Sequence, residues 1–271
     1  QLPFISALQR DCIAKGRDLT QGGCRWNNFL AIVPHGHQNV ANSFAAIKKL
    51  VFEEKTISMP ELLEALAVNF EGKAGLRQKL LAVPKYGNDD DYVDELMDDI
   101  FQLTHEVVTS HTNCWGEPMA ISRQGHAFHY YSGQVIGATP DGRKAWEPMA
   151  DGSLSPVQGT DLRGPTAVIN SAAKVDALGS MATLLNQKFH PSALQGKDGP
   201  RKLLALIKTH FDNYGHHIQF NMLSRETLLD AKKHPERYRD LLVRVAGFSA
   251  YFVELAPEVQ DEIIARTEQS L

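Results

Sequence analysis

Cysteine is scarce in this sequence, which has three such residues, Cys12, Cys24 and Cys114, among 271. An odd number without the close spacing of zinc ligands argues against a disulfide framework and favours a reducing compartment. The sequence also lacks the run of ~18 apolar residues that a membrane helix needs, and it lacks a signal peptide. These absences predict a cytoplasmic protein that does not span a membrane.

Positive charge is not in excess either, since 28 Lys and Arg residues stand against 32 Asp and Glu, for a net charge of −4. Without a basic cluster, we expect no nucleic-acid partner. Hydrophobic residues make up 43% of the chain, enough apolar surface to offset the entropy lost on folding. The composition therefore predicts an α-rich or α/β globular protein of one large domain or two ordinary ones.

Common catalytic motifs are missing as well. The sequence contains no G-x-G-x-x-G motif, no Walker-type phosphate loop and no G-x-S-x-G elbow, so nucleotide binding has no support in it. Two histidine pairs, His35 with His37 and His216 with His217, lack a third ligand at a recognisable spacing. We therefore predict no metal site.

Apolar residues recur every three to four positions in several stretches, which predicts helices. We expect the longest from Tyr92 to Val107, after an acidic turn that suits a helix N-terminus. Ser58 and Glu61 form a capping-box pattern at the start of another helix, which runs toward Phe70. Further helices are predicted over 2–12, 38–52, 201–211, 225–232, 235–243 and 257–264, a strand over 217–222, and loops with short strands over 113–190.

The start of the sequence has no initiator Met and enters a periodic segment at once. A natural terminus usually tolerates some disorder before the first ordered element. We therefore expect the chain to be the C-terminal part of something longer, with a processed start as the alternative.

The most distinctive segment lies near the end, over residues 244–252, and reads Arg-Val-Ala-Gly-Phe-Ser-Ala-Tyr-Phe. Its glycine, Gly247, sits in an apolar stretch between small residues. Such a glycine usually marks a positive φ or a close backbone approach.

This string resembles the glycyl radical signature of the pyruvate formate-lyase superfamily, in which the glycine carries a stable backbone radical. Glycine suits that role because its α-carbon can become planar and share the spin with the flanking amides. Phe248 stands where many members have Tyr. Four further segments look like family sequence, residues 84–90, 137–145, 164–167 and 184–189.

The resemblance implies an α/β fold, as part of the ten-stranded α/β barrel of glycyl radical enzymes, with the radical loop near the C-terminus. Residues 1–200 would be the incomplete C-terminal half of the main barrel domain, and residues 201–271 the glycyl radical domain. The family's catalytic cysteine sits in a Gly-Cys-Val-Glu-like motif, which surrounds none of the three cysteines here. The resemblance therefore places that thiol upstream of this chain, which alone should be inactive.

The implied chemistry needs no bound cofactor. An S-adenosylmethionine/iron–sulfur activating enzyme would remove a hydrogen from Gly247, and the glycyl radical would then generate a thiyl radical on the upstream cysteine. That thiyl would start C–O, C–C or C–N cleavage in a small molecule. A homodimer is expected from the family.

The branch of the family is less clearly marked. The amino-acid sequence of residues 147–152 resembles the dehydratase and lyase branch more than pyruvate formate-lyase itself. Formate C-acetyltransferase activity and a stand-alone radical-bearing rescue subunit are the alternatives.

Residues 123–131 differ most from typical sequences of the family, because they combine a cation, two imidazoles and three aromatic rings. Such a set could face an anionic or aromatic substrate. We predict that Arg123 pairs with a substrate anion, the alternative being an outer barrel loop with surface aromatics.

Overall fold

The computed structural model describes residues 1–26, 30–114, 116–124 and 127–270. Within these residues the helices are α1 (Pro3–Leu8), α2 (Cys12–Lys15), α3 (His37–Ile47), α4 (Met59–Ala67), α5 (Ala74–Ala82), α6 (Asp91–Thr109), α7 (Phe128–Val135), α8 (Pro165–Ala173), α9 (Gly199–Asp212), α10 (Arg225–Lys233) and α11 (Pro257–Ala265). The strands are β1 (Leu30–Ile32), β2 (Met119–Ile121), β3 (Leu185–Phe189), β4 (Ile218–Met222), β5 (Leu242–Arg244), β6 (Ser249–Tyr251) and β7 (Glu268–Gln269).

Parallel pairing dominates the strands. β1 pairs with β2, and β3 lies between β4 and β7, all in parallel. All five residues of β3 are buried, as is typical of a parallel strand with both faces covered. The exception is the antiparallel hairpin of β5 and β6. Helices mixed with parallel strands confirm the predicted α/β class.

Among the described residues, apolar side chains form two separate clusters. The larger cluster centres on α3 and α6, which pack together, and includes Tyr86, Phe101 and Phe189. The smaller cluster lies beneath the β5–β6 hairpin and includes Val243, Phe252 and the α11 residue Ile263, while residues of α10 complete it. The hairpin therefore rests on a core of its own.

Several helix predictions are confirmed. α6 is 19 residues long, and the Asp90 side chain accepts a hydrogen bond from the backbone N–H of Tyr92 at its start. At α4, the Ser58 hydroxyl accepts from the N–H of Glu61, and the Glu61 carboxylate accepts from the N–H of Ser58. α9, α10, α11 and β4 also form where the periodicity places them.

Other predictions are wrong. The segment 235–243 is no helix: it holds a 3-10 turn, Pro235–Arg237, and then enters β5, because its apolar residues pair across the hairpin. The first helix is divided into α1 and α2 at Asp11, which has a φ of +79°. Residues 113–190 contain α7 and α8 besides loops and strands, and α5 was not predicted. The helix that starts at His37 continues as a π-helical stretch, Lys48–Glu53.

Among the residues that the structure describes, no helix combines the length and the apolar character needed to cross a bilayer.

Candidate functional site

The glycine of the signature segment lies at the tip of the β5–β6 hairpin. Arg244 and Ser249 are the last paired residues, and the backbone N–H of Val245 donates to the carbonyl of Phe248 at 2.9 Å. Gly247 has a φ of +81°, in the left-handed region. Val245 and Ala246 face the protein interior, whereas Gly247 and Phe248 are exposed.

Backbone conformation, and not lack of space, requires the glycine. Among the described residues, a Cβ built on Gly247 would meet the Cδ1 of Leu184, at an ordinary contact distance of 3.6 Å. A side chain at φ +81° would nevertheless be strained, because L-residues rarely adopt that region. The positive φ predicted from sequence is thus present.

Arg266, which follows α11, holds the hairpin from below. Its Nη1 donates to the carbonyl of Arg244 at 3.1 Å and its Nη2 to the carbonyl of Val245 at 2.8 Å. The same guanidinium donates to both oxygens of the Glu262 carboxylate, each at 2.9 Å. One cation therefore fixes the two backbone carbonyls that lead into the Gly247 turn.

Two more carboxyl and imidazole groups complete this buried cluster. Asp151 Oδ2 lies 3.6 Å from Nε of Arg266, and His129 Nε2 lies 3.4 Å from Glu262 Oε2. Glu262 also accepts from the Gln158 amide at 3.0 Å. We call Asp151, His129, Glu262 and Arg266 the hairpin cluster. All four side chains are at most 6% exposed.

Charge pairing overcomes burial at two of these groups. Burial opposes ionisation, yet Asp151 and Glu262 raise the pKa of Arg266 above its ordinary value. Burial likewise opposes ionisation of Glu262, but Arg266 and then His129 lower its pKa. Burial raises the pKa of Asp151, with Arg266 opposing that rise. The Arg266–Glu262 pair is therefore ionised inside the protein.

Amide side chains from β4 hold the same hairpin from its edge. The Asn221 side chain accepts from the N–H of Arg244 at 2.7 Å and donates to its carbonyl at 2.8 Å. The Arg244 Nε donates to Gln219 Oε1 at 2.7 Å. Gln219 in turn donates to Asn186 of β3, whose amide donates to Asp151 at 2.5 Å. A continuous polar chain thus links the hairpin through two strands to the hairpin cluster.

The hairpin cluster was missed from sequence. Its members come from α7, a loop and the C-terminal segment, so no short motif joins them. The one available signal was the spacing of Glu262 and Arg266, four residues apart as in a helical ion pair.

Arg123, the predicted substrate contact, is 1% exposed. Its Nη2 donates to the carbonyl of Phe101 at 2.6 Å, its Nη1 contacts the hydroxyl of Ser180, and its Cζ lies 3.7 Å from the centroid of the Phe101 ring. Burial lowers the pKa of Arg123 to about 10. The structure does not bring Arg123 into the hairpin cluster. Gly125 and His126 of the same segment lie outside the described residues.

The cysteines lie elsewhere in the molecule. Cys12 is buried, with its Sγ 3.8 Å from that of Cys24, and Cys114 is exposed. The assignment of a catalytic thiol upstream of this chain remains a prediction.

One group of side chains in the described residues could hold a divalent cation. The ligand atoms of His190, Glu226 and Glu268 lie within 4.8 Å of one another. Two of them already have protein partners, because His190 Nδ1 lies 2.6 Å from the Ser192 hydroxyl and Glu268 accepts from the N–H of Arg225 at 2.6 Å. Sequence analysis missed this group because its members come from three distant segments.

Two protein-family models match the amino-acid sequence of this chain. The model described as pyruvate formate lyase-like matches residues 1–133, and the model described as glycine radical matches residues 150–253, which include the hairpin. The chain is 44% identical over 269 residues to the trans-4-hydroxy-L-proline dehydratase of Clostridioides difficile, covering 99% of this chain and 34% of that protein. It is 44% identical over 235 residues to the isethionate sulfite-lyase of Nitratidesulfovibrio vulgaris, covering 86% of this chain and 28% of that protein.

A solved structure is similar to this chain in fold as well as in sequence. The glycerol-bound form of the B12-independent glycerol dehydratase from Clostridium butyricum superposes with a TM-score of 0.93 at 42% identity, covering 99% of this chain and 34% of that one. The chain thus spans about a third of the length of the relatives it matches.

Proposed function

This chain belongs to the glycyl radical enzymes of the pyruvate formate-lyase-like family, and from that premise we propose that it is the radical-bearing part of a dehydratase or lyase. The radical is stored on Gly247. The hairpin geometry carries the proposal: a glycine with a φ of +81° is exposed at the tip, shortly after two residues, Arg244 and Val245, whose backbone carbonyls Arg266 holds in place. Loss of one α-hydrogen there leaves a carbon that the flanking amides can stabilise.

The surroundings of Gly247 suit a stored radical. Arg266 donates to the carbonyls of Arg244 and Val245, and Asn221 both accepts from and donates to the backbone of Arg244, so these hydrogen bonds hold the residues before the glycine and not the glycine itself. The α-carbon can therefore become planar without losing the contacts that position the hairpin. The face of Gly247 that this chain leaves uncovered is where we place the remaining part of the enzyme, with its cysteine.

The proposed activity has three parts. An S-adenosylmethionine/iron–sulfur activating enzyme removes one hydrogen from Gly247. The glycyl radical takes a hydrogen from a cysteine in the remaining part of the enzyme. The resulting thiyl abstracts hydrogen from a small molecule, in which a neighbouring C–O, C–C or C–N bond then breaks. A homodimer and a cytoplasmic location accompany this proposal.

Dehydratase or lyase activity is favoured over formate acetyltransferase activity by the names of the relatives, one a dehydratase and one a sulfite-lyase. A rescue subunit is disfavoured because residues 1–133 match the pyruvate formate lyase-like model, which lies outside the glycine radical match.

Arg123 stays our proposed contact for a substrate anion. In its support, its described contacts are a carbonyl, a hydroxyl and an aromatic ring, so the charge has no carboxylate beside it. Arg123→Lys in the full-length enzyme should raise KM for an anionic substrate more than it lowers kcat. An unchanged kcat/KM would remove the assignment.

The test of the radical site is electron paramagnetic resonance of the full-length protein after anaerobic activation. Gly247→Ala should abolish the organic radical signal, and glycine labelled with ¹³C at the α-carbon should split it. Gly196→Ala is the matched control, since Gly196 is also exposed, has a φ of +74°, and has open space where a Cβ would sit. A signal that survives Gly247→Ala would overturn the assignment.

A further inference from the structure

We propose that Cys12 and Cys24 form a reversible intramolecular disulfide when the protein meets a mild oxidant, while Cys114 stays outside the bond. The two sulfurs are 3.8 Å apart in the reduced state, close enough for an S–H···S contact. A disulfide requires about 2 Å between the sulfurs. A rotation of one side chain and a small backbone adjustment would supply the difference. This inference does not depend on the proposed radical chemistry.

Contacts on the neighbouring residues hold the two cysteines side by side. Immediately before Cys12, the Asp11 carboxylate accepts two hydrogen bonds from the guanidinium of Arg25, both at 3.1 Å. Immediately after Cys24, the backbone N–H of Arg25 donates to the carbonyl of Arg10 at 3.2 Å. The chain segments on either side of the sulfurs are therefore already joined, and a bond between Cys12 and Cys24 would add to an existing alignment.

The intervening residues form a compact turn that brings the chain back. Gly16 and Gly22 have φ values of +57° and +84°. The backbone N–H of Gly23 donates to the carbonyl of Asp18 at 3.0 Å, and a Cβ on Gly23 would lie only 2.1 Å from the carbonyl oxygen of Arg17. Glycine at position 23 thus allows the backbone before Cys24 to lie directly against the turn.

The environments of the two thiols differ in a way that orders the reaction. Cys12 is 3% exposed, and burial raises the pKa of its thiol. Cys24 is more accessible, and the ammonium of Lys15 donates to its backbone carbonyl at 2.9 Å. An accessible thiol meets an oxidant before a buried thiol whose pKa is raised. Cys24 is therefore the first thiol oxidised, and Cys12 is the resolving thiol.

The atoms balance with hydrogen peroxide as the oxidant. The Cys24 thiol attacks one peroxide oxygen, so that the O–O bond breaks, Cys24 becomes a sulfenic acid and water leaves. The Cys12 sulfur then attacks the Cys24 sulfur, forms the S–S bond and releases a second water. The two thiols together lose two hydrogens and two electrons, which the peroxide accepts. A thiol reductant reverses the bond by exchange.

The bond would close the loop of residues 12–24 and attach α2 covalently to the stretch that leads toward β1. Since β1 pairs with β2, the tie would strengthen the attachment of the first helical segment to the rest of the chain. A closed loop also restricts the unfolded chain, so the oxidised form should resist unfolding better than the reduced form.

Trypsin separates the two cysteines, which makes the product easy to identify. Cleavage after Arg10, Lys15, Arg17 and Arg25 places Cys12 in the peptide 11–15 and Cys24 in the peptide 18–25, with Cys114 in the peptide 86–123. The native full-length protein is treated with hydrogen peroxide, its remaining thiols are alkylated, and the digest is read by mass spectrometry. We expect a linked pair, 11–15 with 18–25, two hydrogens lighter than the sum and lost on treatment with dithiothreitol.

Two variants decide between this pair and other oxidation products. Cys24→Ser keeps a hydroxyl next to Cys12 and should abolish the linked peptide, whereas Cys114→Ser should leave its yield unchanged. With glutathione disulfide as the oxidant, the same linked pair should form. A stable glutathione adduct on Cys24, a link from either residue to Cys114, or a freely alkylated Cys12 in oxidised and unfolded protein would each overturn the proposal.

Discussion

Arg266 and Arg123 are both withdrawn from water, but their surroundings differ in charge. Arg266 lies against the carboxylates of Glu262 and Asp151, and these raise its pKa despite burial. The described contacts of Arg123 are neutral groups on Phe101 and Ser180, and burial lowers its pKa. Buried cations are usually paired with anions. Within the part of the chain that the structure describes, Arg266 is therefore paired with carboxylates, and the printed contacts of Arg123 include none.

This contrast separates two uses of a buried arginine. Where carboxylates neutralise the charge, the remaining N–H groups can fix backbone carbonyls, as Arg266 does for Arg244 and Val245. Where neutral groups hold the cation, as around the buried Arg123, no carboxylate among its described contacts offsets the charge. The first arrangement suits a structural support for Gly247, and the second is what the proposed role of Arg123 requires.

The largest effect should come from Arg266→Met, which replaces the cation by an apolar side chain of similar length. It leaves Glu262 and Asp151 buried without their partner, so the free energy of unfolding should fall by about 3–5 kcal/mol. Denaturant unfolding measures this loss. Adding Glu262→Gln should recover part of it by removing one unpaired charge. Exposed Arg239→Met is the control, with a change within about 0.5 kcal/mol.

The same substitution at Arg123 should lower the free energy of unfolding less than Arg266→Met does. Arg123→Met leaves a carbonyl and a hydroxyl without a donor, but it leaves no contacting carboxylate unpaired. We therefore expect the free energy of unfolding to fall by about 1–3 kcal/mol. Equal losses for Arg123→Met and Arg266→Met in the same denaturant series would contradict the distinction between the two regions.

A half-buried carboxyl that forms no ion pair with the described residues provides a third case. Asp161 accepts hydrogen bonds from Thr267 and from Gln269, and burial raises its pKa from 3.8 to about 6. The folded state therefore keeps the proton at pH values where the unfolded state has lost it. This group stabilises the fold most at low pH and loses that contribution as pH rises through 6.

Asp161→Asn should remove this dependence. Between pH 5 and pH 7, the variant should gain about 1 kcal/mol of stability relative to the parent protein. Parallel urea titrations at the two pH values measure the difference. A gap between the two proteins that stays constant from pH 5 to pH 7 would show that Asp161 ionises normally.

The smallest effect belongs to an exposed ion pair. Lys208 and Asp212 lie four residues apart on α9 at 2.8 Å, with side chains 71% and 59% exposed. Water and salt screen such a pair, so Lys208→Ala should change stability by no more than about 0.5 kcal/mol. Thermal unfolding at low and high salt tests this, and a loss comparable with that of Arg266→Met would undermine the argument from burial.

Local patterns explain what could be predicted from this sequence. The capping box at Ser58 and the long apolar period of α6 act within a few residues, and both are present as expected. The helix predicted over 235–243 was wrong because the same apolar spacing also fits a turn followed by a strand. Pairing with β6 favours the strand over the helix. Such pairing depends on residues farther along the chain.

The candidate site divides in the same way. Gly247 could be singled out because its signature is contiguous, and the positive φ expected of it is present. The hairpin cluster could not, because His129, Asp151 and Glu262 meet only after three distant segments have folded. The burial of Arg123 could not be predicted from sequence either, because the residues that cover it, Phe101 and Ser180, lie 22 and 57 positions away in the chain.

The direction of the Cβ position at Gly247 makes its two α-hydrogens unequal. One hydrogen points along that direction, where a Cβ would lie 3.6 Å from the Cδ1 methyl group of Leu184, while the other points elsewhere. The fold thereby gives a prochiral carbon a handed environment. Any reagent that reaches this turn from the exposed side distinguishes the two hydrogens, so an exchange reaction at Gly247 would be stereospecific even though glycine itself has no chirality.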